Sequence, residues 1–548
     1  MSVSAVTGGG SSGVFEAVQR GDSDQVLQLI QHDRTVLKQK GWGGFTALHF
    51  SALHGNRSMI ELLLNSGANP NIPCDAGQTP FHFACRKGNV SIMHKMLQHG
   101  ADLRIVDQLG KTSLHHAVTG GSIVAIQYLW ETMMFRFSDA DNFLITPLHM
   151  AAFTGNADVV RYLLRGNRCA VDAVDHQGAT ALHVAAENGS LEVCRLLLQS
   201  AGFQILHIKN HTGLTPLDLC SRGTTFRHKQ LTKMLKLFIN KPRHEKPRDS
   251  YVMYYWTLLL PSVSGAVVLL IASALGQYGG IFCGLLFPLL AKVTLSQYHR
   301  MSNYQRLPNP IYLGILTAGI IHSVICFYYK ILPSIWPAQS LLHVSLLHFS
   351  VVLWLFWKVL TQDPGRLQAD DADSRYSTIA DLVEANQNPS HFCIYCELFQ
   401  VDNCKHCRLC DFCVMDYDHH CLFLNQCVGR NNHRVFVLLI LALLLAQFIF
   451  SSTAGYYLYW TMKQEESRSS VAAREAWVLV LLILNTFAFL WEAWLLSEQF
   501  DAVSTGTTMY FRQCRHKKPS WGKRWATALS FLFEGKSFRG LHLKTVDL

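Results

Sequence analysis

Residues 393–427 read CIYCELFQVDNCKHCRLCDFCVMDYDHHCLFLNQC. The stretch holds eight of the sixteen cysteines of the 548-residue chain, together with three histidines. Two cysteines three residues apart can turn both sulfurs onto one tetrahedral ion, and this C-x2-C spacing recurs along the stretch. The pattern therefore predicts a zinc-binding module.

The same stretch offers more donors than zinc binding needs. Two closed tetrahedral sites take eight ligands, whereas eight cysteines and three histidines are present. A cysteine that is not a ligand, beside a histidine and an aspartate, has what nucleophilic thiol chemistry requires, because a base must remove the proton of the attacking thiol. The spacing alone leaves open which cysteine is free.

The first 240 residues repeat a phrase at a period of 33 to 35 residues. It begins as Gly44-Phe45-Thr46-Ala47-Leu48-His49 and returns at Gly77, Gly110, Leu144, Gly178 and Gly213. The period resembles that of ankyrin repeats and predicts about seven of them over residues 14–240, after a flexible N-terminus of residues 1–13. The phrase threonines are expected to cap helices. The phrase histidines are expected to form hydrogen bonds between repeats rather than a metal site: His49, His82, His115, His149 and His183.

Apolar segments dominate the chain after a basic linker at residues 241–250. Six of them approach the twenty residues that span a bilayer: 251–274, 277–296, 311–330, 340–360, 435–460 and 475–497. We therefore predict four transmembrane helices within residues 251–360 and two within 435–497. The net charge of +10 comes from cations beside these segments, which favours a membrane surface and argues against a nucleic-acid partner.

The distribution of lysine and arginine predicts an orientation. Both termini, the cysteine-rich region at residues 361–434 and the tail at residues 498–548 are expected on the cytosolic side, by the positive-inside rule. A reducing compartment would keep the thiols available for metal binding and for chemistry. The sequence thus predicts an all-α fold, with an N-terminal ankyrin solenoid, a six-helix transmembrane domain and a cytosolic Cys/His-rich zinc-binding insert.

The run Asp418-His419-His420-Cys421, within this cysteine spacing and between the fourth and fifth predicted spans, resembles the DHHC-type protein S-acyltransferases. Repeats before six spans are similar to the ankyrin-repeat subfamily, the huntingtin-interacting palmitoyltransferases. Asp363-Pro364-Gly365 and the pair Asn432 and Phe436 match two further motifs of the family.

This resemblance implies a role for each donor. Four residues would bind one zinc ion and four others the second, respectively Cys393, Cys396, His406 and Cys413, and Cys407, Cys410, His420 and Cys427. Cys421 would be the acyl-accepting nucleophile, His419 its base and Asp418 the group that orients His419. Cys404 is left without a role, and no residues are assigned to the cosubstrate.

The family activity is the transfer of a palmitoyl or related fatty acyl group. The resemblance implies that acyl-CoA acylates Cys421 and that the thioester passes to cysteines of protein substrates recruited by the ankyrin repeats. It further implies two structural zinc ions and a place in the Golgi or endoplasmic reticulum membrane, or in cytoplasmic vesicles.

Some family positions are occupied by other residues. Leu422-Phe423 stands where the family usually has Pro-Trp, residues 397–405 replace a basic Arg-Pro-x-Arg segment, and residues 507–510 lack the acid of Thr-Thr-x-Glu. An alternative is therefore a catalytically weak or inactive ankyrin scaffold anchored in the membrane. An ion channel or transporter is less favoured, because residues 461–474 are too few for a pore helix and filter.

Overall fold

The computed structural model describes residues 12–243, 245–246, 251–274, 310–335, 339–369, 376–464, 471–472, 474–512 and 519–534. The chain divides into two units, one made of residues 1–249 and 373–399 and the other of residues 250–372 and 400–548. The Cys/His-rich stretch therefore contributes to both units.

The first unit is built from helix pairs. Seven pairs follow one another in its described part: α1 (Ser12–Arg20) and α2 (Ser23–His32), α3 (Ala47–His54) and α4 (Arg57–Asn65), α5 (Pro80–Lys87) and α6 (Val90–Gln98), α7 (Ser113–Gly120) and α8 (Ile123–Glu131), α9 (Pro147–Thr154) and α10 (Ala157–Leu164), α11 (Ala181–Glu187) and α12 (Leu191–Ala201), and α13 (Pro216–Arg222) and α14 (Phe226–Ile239). A further short helix, α18 (Ile379–Glu384), belongs to the same unit.

The repeated phrase forms the start of the first helix in each pair. In α9, the backbone N–H of Thr146 donates to His149 Nδ1 (3.3 Å), and the ring then donates from Nε2 to the carbonyl of Ala179 in the next repeat (3.1 Å). Burial lowers the pKa of His149, so the ring stays neutral at pH 7 and keeps Nδ1 as an acceptor.

The hydrogen-bonding role predicted for the phrase histidines is confirmed in four of the five phrases. The rings of these four residues reach a carbonyl about thirty residues ahead: His49, His115, His149 and His183. In the sixth phrase Asp218 takes the place of the histidine and accepts from the Thr215 N–H at 2.9 Å. The phrase thus couples a helix cap to the contact between repeats.

The second unit contains the long apolar helices. They are α15 (Tyr251–Ala274), α16 (Ile311–Ser334, with a π-helical turn at Phe327–Ile331), α17 (Gln339–Thr361), α19 (His433–Gln464), α20 (Ala476–Ser504) and the shorter α21 (Trp521–Glu534). Among the described residues, α16, α17, α19 and α20 are long and apolar enough to cross a membrane. In α15 the described apolar part is shorter, Tyr254–Val268, and the predicted span at 277–296 lies outside the described residues. Four of the six predicted spans are thus supported.

Polar side chains join these helices. Gln447 of α19 donates to Glu492 of α20 (3.0 Å), and Asn485 of α20 donates to Ser323 of α16 (2.9 Å). Such pairs satisfy polar groups that hydrocarbon would leave without partners.

The Cys/His-rich stretch departs from the predicted all-α fold. It forms three antiparallel hairpins, β1 (Phe392–Cys393) with β2 (Leu398–Phe399), β3 (Lys405–Cys407) with β4 (Phe412–Val414), and β5 (His419–Cys421) with β6 (Gln426–Val428). Strands of two or three residues are too short to show a period of two in the sequence. The chain is therefore mostly helical, with a small β component in the insert.

The hydrogen bond between repeats makes His149 a test of the stack. We expect His149→Ala to lower the free energy of unfolding by about 1–3 kcal/mol, because the buried Thr146 N–H and Ala179 carbonyl lose their partner. Amide hydrogen exchange in α9 should then accelerate by about tenfold or more. His54→Ala, the same change at the exposed end of α3, is the control and should alter stability by less than about 0.5 kcal/mol. Equal effects of the two variants would contradict this role of His149.

Candidate active and metal-binding site

The three hairpins share one construction. Each turn contains a residue with a left-handed backbone, Glu397 (φ 56°), Asp411 (φ 59°) or Asn425 (φ 53°). In the first two hairpins the chain folds back after C-x2-C, so that the N–H of Glu397 reaches the carbonyl of Cys393 at 2.7 Å and that of Asp411 reaches Cys407 at 2.8 Å. These tight turns place both sulfurs of each pair on the same side.

Four donors converge around the second and third hairpins. The candidate ligand atoms of Cys407, Cys410, His420 and Cys427 all lie within 4.8 Å of one another. The Nδ1 atom of His420 is 3.3 Å from the sulfur of Cys410, 3.6 Å from that of Cys407 and 3.7 Å from that of Cys427. A tetrahedral zinc ion with its usual Zn–S and Zn–N bonds has ligand separations of about 3.5–4 Å. The donor set therefore fits zinc in both chemistry and size.

Strand register brings two of these donors together. His420 pairs with Cys427 across β5 and β6, just as His406 pairs with Cys413 across β3 and β4. Cα partners in an antiparallel pair project to the same face. A hairpin can therefore supply half of a tetrahedral site.

The other group consists of Cys393, Cys396, His406 and Cys413, whose candidate ligand atoms also lie within 4.8 Å of one another. Within it, the Cys396 N–H points at the sulfur of Cys393 (3.4 Å), and the side chain of Gln400 donates to the sulfur of Cys413 (3.2 Å). Hydrogen bonds of this kind favour the thiolate that a metal requires. The structure thus assembles the same eight residues that the resemblance had grouped, and neither group includes Cys404, His419 or Cys421.

His419 lies against a buried carboxylate. Its Nδ1 atom is 2.6 Å from Oδ1 of Asp418, and the ring of Phe436 meets it edge to face at 5.4 Å. Burial lowers the pKa of His419, but hydrogen bonds to Asp418 and to the Cys421 thiol raise it more strongly, to about 9. The imidazole of His419 therefore lies between the carboxylate of Asp418 and the thiol of Cys421. Activation of a thiol requires this order of acid, base and nucleophile.

Asp418 is held by groups that the sequence analysis did not identify. Its Oδ1 accepts from the side chain of Gln499 (2.9 Å), at the end of α20, and its Oδ2 accepts from the backbone N–H of Met509 (2.8 Å). Burial raises the pKa of Asp418, but neighbouring His433 and the bond to His419 outweigh burial and bring it below its usual range. Asp418 is therefore ionised at neutral pH although its side chain is fully buried.

The segment that lacks the family acid still reaches the site. Thr508 donates from its hydroxyl to the carbonyl of Tyr417 (2.7 Å), next to the Met509 contact with Asp418. A backbone N–H does not depend on the identity of its side chain. The missing glutamate at Tyr510 therefore leaves these two hydrogen bonds in place.

The two smaller family motifs support the hairpins. Asn432 accepts from the Gly429 N–H (2.9 Å) and donates to the carbonyl of Cys427 (2.9 Å), which ties the start of α19 to β6. Asp363 accepts from the N–H groups of Gly365 and Arg366, and the Gly365 carbonyl accepts from Met415 (2.9 Å). Gly365 has φ +100°, and a Cβ there would come within 3.1 Å of Arg430, so this turn favours glycine.

Cys421 lies at an apolar edge of the hairpin. Its side chain is buried in a cluster with Val352 and Leu355 of α17 and Val435 of α19. The next residues, which replace the family Pro-Trp, differ in exposure: Leu422 is exposed, whereas Phe423 contacts the rings of Tyr312 and Trp491. The nucleophile candidate therefore lies in an apolar cluster that it shares with α17 and α19.

Comparison with known proteins agrees with this arrangement. Residues 386–515 match the DHHC palmitoyltransferase family model. The family model described as ankyrin repeats (3 copies) matches three overlapping segments, residues 14–107, 91–175 and 167–244. Palmitoyltransferase ZDHHC13 of Pongo abelii is 29% identical over 195 residues, which cover 32% of this chain and 31% of that protein. Palmitoyltransferase ZDHHC17 of Rattus norvegicus is 28% identical over 262 residues, which cover 44% of this chain and 39% of that protein.

Among solved structures, the ankyrin repeat domain of Bcl-3 is 26% identical and covers 40% of this chain and 97% of that one, with a TM-score of 0.33. By the two family matches, the chain carries a DHHC palmitoyltransferase domain within residues 386–515 and ankyrin repeats within residues 14–244. It matches the two palmitoyltransferases above over less than half of their length.

The donor geometry predicts the metal content. We expect two zinc ions per chain in the purified protein, since two closed sites are formed. Cys410→Ser should remove about one of them, because a closed site that loses a thiolate binds zinc far more weakly. Elemental analysis of protein dialysed against buffer measures this. Cys404→Ser, a cysteine in neither group, should keep both ions; a wild-type content near zero, or an equal loss in both variants, would contradict the ligand assignment.

Proposed function

We propose that this chain is a protein S-acyltransferase that transfers a fatty acyl group, typically palmitoyl, from acyl-CoA to cysteines of other proteins. The observation that carries the proposal is the hydrogen bond between buried Asp418 and half-buried His419 beside Cys421, on a hairpin whose neighbouring residues form a zinc-type donor group. The match to the DHHC palmitoyltransferase family supports the same activity.

The first half-reaction acylates the enzyme. The Cys421 thiolate, whose proton His419 has taken, attacks the thioester carbonyl of acyl-CoA. The bond from carbonyl carbon to the coenzyme A sulfur then breaks, and the imidazolium of His419 supplies the proton for the leaving thiol. Asp418 keeps Nδ1 protonated and oriented, so that Nε2 faces the thiol.

The second half-reaction follows the same path with the substrate thiol as nucleophile. His419 takes the proton of the substrate cysteine, the new thioester forms, and the Cys421 sulfur leaves with a proton returned by His419. One thioester replaces another in both steps, so the overall free-energy change is small.

The two Cys/His groups are assigned structural zinc ions. The first site would use Cys393, Cys396, His406 and Cys413, and the second Cys407, Cys410, His420 and Cys427. Four protein donors leave no position for a substrate, so each ion would stabilise hairpins that are too short to be stable alone.

The apolar surroundings of Cys421 agree with a fatty acyl substrate. Val352, Leu355 and Val435, which share a buried cluster with Cys421, belong to helices long enough to cross a membrane. A tail that extends among these helices would gain about 0.8 kcal/mol for each buried methylene group. We place Cys421 at the cytosolic membrane face, with both termini cytosolic, as the positive-inside rule indicates. The resemblance to the DHHC family implies the Golgi or endoplasmic reticulum membrane, or vesicles. The ankyrin repeats would recruit the protein substrates.

A second candidate function is a membrane-anchored scaffold with little or no transferase activity. It is favoured by Leu422, which replaces a proline and is exposed, and by the absence of an acid at Tyr510. The preserved hydrogen bonds to Asp418 favour the enzyme.

Substitution of the candidate nucleophile distinguishes the acyltransferase from the scaffold. We expect Cys421→Ser to lower hydroxylamine-sensitive transfer from a clickable acyl-CoA to acceptor proteins by more than about a thousandfold, because a serine hydroxyl is a far weaker nucleophile. Cys404→Ser is the matched control and should transfer at nearly the wild-type rate. Labelling that is the same in wild type and Cys421→Ser would support the scaffold.

A substitution at Gln499 tests whether catalysis depends on the hydrogen bond from Gln499 to Asp418. We expect Gln499→Met to lower the acylation rate of Cys421 by about 10–100-fold, because Asp418 loses one hydrogen-bond donor and the ring of His433 loses its hydrogen bond to Gln499 (2.6 Å). Binding of acyl-CoA should change little, so the loss should appear in kcat rather than KM. Gln464→Met, at the exposed end of α19, is the control. A wild-type kcat in Gln499→Met would show that the bond to Asp418 is dispensable.

A further inference from the structure

Residues 376–399, here called the docking segment, lie on the ankyrin repeats although they follow them only after a long stretch of chain. Four apolar side chains of the docking segment are buried in the same cluster as the repeat core: Ile379, Leu382, Phe392 and Phe399. Helix α18 of this segment packs against α6 and α8 of the repeats. The segment is thus an integral part of the first unit rather than a free linker.

The start of α18 is held by a repeat carboxylate. Oε2 of Glu131, the last residue of α8, accepts the backbone N–H of Ile379 at 2.8 Å. At the other end of α18, Glu384 lies 3.5 Å from Nε2 of His94, which belongs to α6. Two repeats therefore contact the two ends of one short helix.

The end of the docking segment is held by two arginines. Arg168 pairs with Glu397 at 2.5 Å, and Arg165 donates to the backbone carbonyl of Tyr395. The guanidinium of Arg168 also lies over the rings of Trp130 (5.9 Å) and Tyr162 (5.3 Å). These aromatic faces orient the arginine for its carboxylate partner.

The repeats become one residue longer in the part of the chain that contains Arg165 and Arg168. The phrases that begin at Gly110, Leu144 and Gly178 are 34 residues apart, one more than the spacing of the first three phrases. After α10 the chain makes a 3₁₀ turn at Arg165–Asn167, in which Gly166 (φ 61°) and Asn167 (φ 54°) are left-handed. This turn places Arg165 and Arg168 in contact with the docking segment.

Glu397 connects this contact to the first cysteine pair. It occupies the turn after Cys396, and its backbone N–H donates to the carbonyl of Cys393 at 2.7 Å. A residue in this turn cannot shift without moving the backbone of both cysteines. The ion pair with Arg168 is therefore also a contact to the first hairpin.

We propose that the repeat surface around Glu131 and Arg168 is a binding site for the chain's own docking segment, and that it fixes the position of Cys393 and Cys396. Glu131 and Arg168 are then positioning residues, which act on the cysteines through Ile379 and Glu397. This role goes beyond acyl transfer, because it concerns contacts that need no acyl-CoA. A protein that binds the same repeat surface must displace the segment, so occupancy of the repeats and placement of the first cysteine pair are coupled.

A charge exchange tests the proposal in the full chain in detergent micelles. Amide hydrogen exchange of residues 376–399 is compared in wild type, Arg168→Glu, Glu397→Arg and the double variant that carries both changes. Each single variant should accelerate exchange by about tenfold or more, because it places two like charges together. The double variant should exchange more slowly than either single variant, since the pair is restored with opposite polarity. The return should be partial, because an arginine at 397 would face Arg165, which lies 3.9 Å from Glu397 in the wild type.

Arg161→Glu is the matched control. Arg161 lies in α10, seven residues before Arg168, and pairs with Glu192 at 3.5 Å rather than with the docking segment. Exchange of residues 376–399 should stay at the wild-type rate in this variant, and exchange in α3 and α4 should be unchanged in all of them. The proposal is overturned if both single variants exchange at the wild-type rate in residues 376–399. It is also overturned if the double variant exchanges there as fast as either single variant. Neither readout uses acyl-CoA, so these results are independent of whether the chain transfers acyl groups.

Discussion

The short hydrogen bond between Asp418 and His419 is the contact on which the rest of the second unit depends. A buried carboxylate is stable as an anion only when donors surround it, and the donors come from distant parts of the chain. Gln499 lies at the end of the last long helix, Met509 follows that helix, and His419 belongs to the third hairpin. The membrane helices, the hairpins and the C-terminal segment must therefore all be in place before the acid is satisfied.

The second hairpin and the third, which carries both His419 and Cys421, have little core of their own. Only a few side chains are buried together inside them, among them Cys407, Val414 and Cys427. Two of these three are in the candidate metal groups, so metal binding would replace the apolar core that a larger β domain would have. In the proposed function, structural zinc and the buried acid would serve one purpose, which is to hold the Cys421 thiol at a fixed place beside apolar helices.

The sequence predicted those parts of the structure that rest on a regular pattern. The threonine and histidine phrase recurs with a fixed period, so the repeats and the carbonyl contact of His149 could be inferred. The eight candidate metal ligands could be divided between two sites because the family motif assigns each of them. Gln499 and the docking segment leave no such signal: one is a single polar residue at a helix end, and the other is held partly by backbone groups such as Ile379 N–H. Strands of two or three residues are likewise too short to predict from alternation, so the all-α prediction missed the β-hairpins of the insert.

The central claim is that Cys421 carries the acyl group, and peptide mapping after a single turnover tests it most directly. Purified protein with bound zinc is mixed with one equivalent of palmitoyl-CoA, and the reaction is quenched with acid. The protein is then digested, and the mass of each cysteine-containing peptide is measured by mass spectrometry. The peptide that contains Cys421 should gain the mass of one palmitoyl group and lose it on treatment with hydroxylamine. An acyl group on a different cysteine, or on none while both zinc ions are bound, would contradict the account.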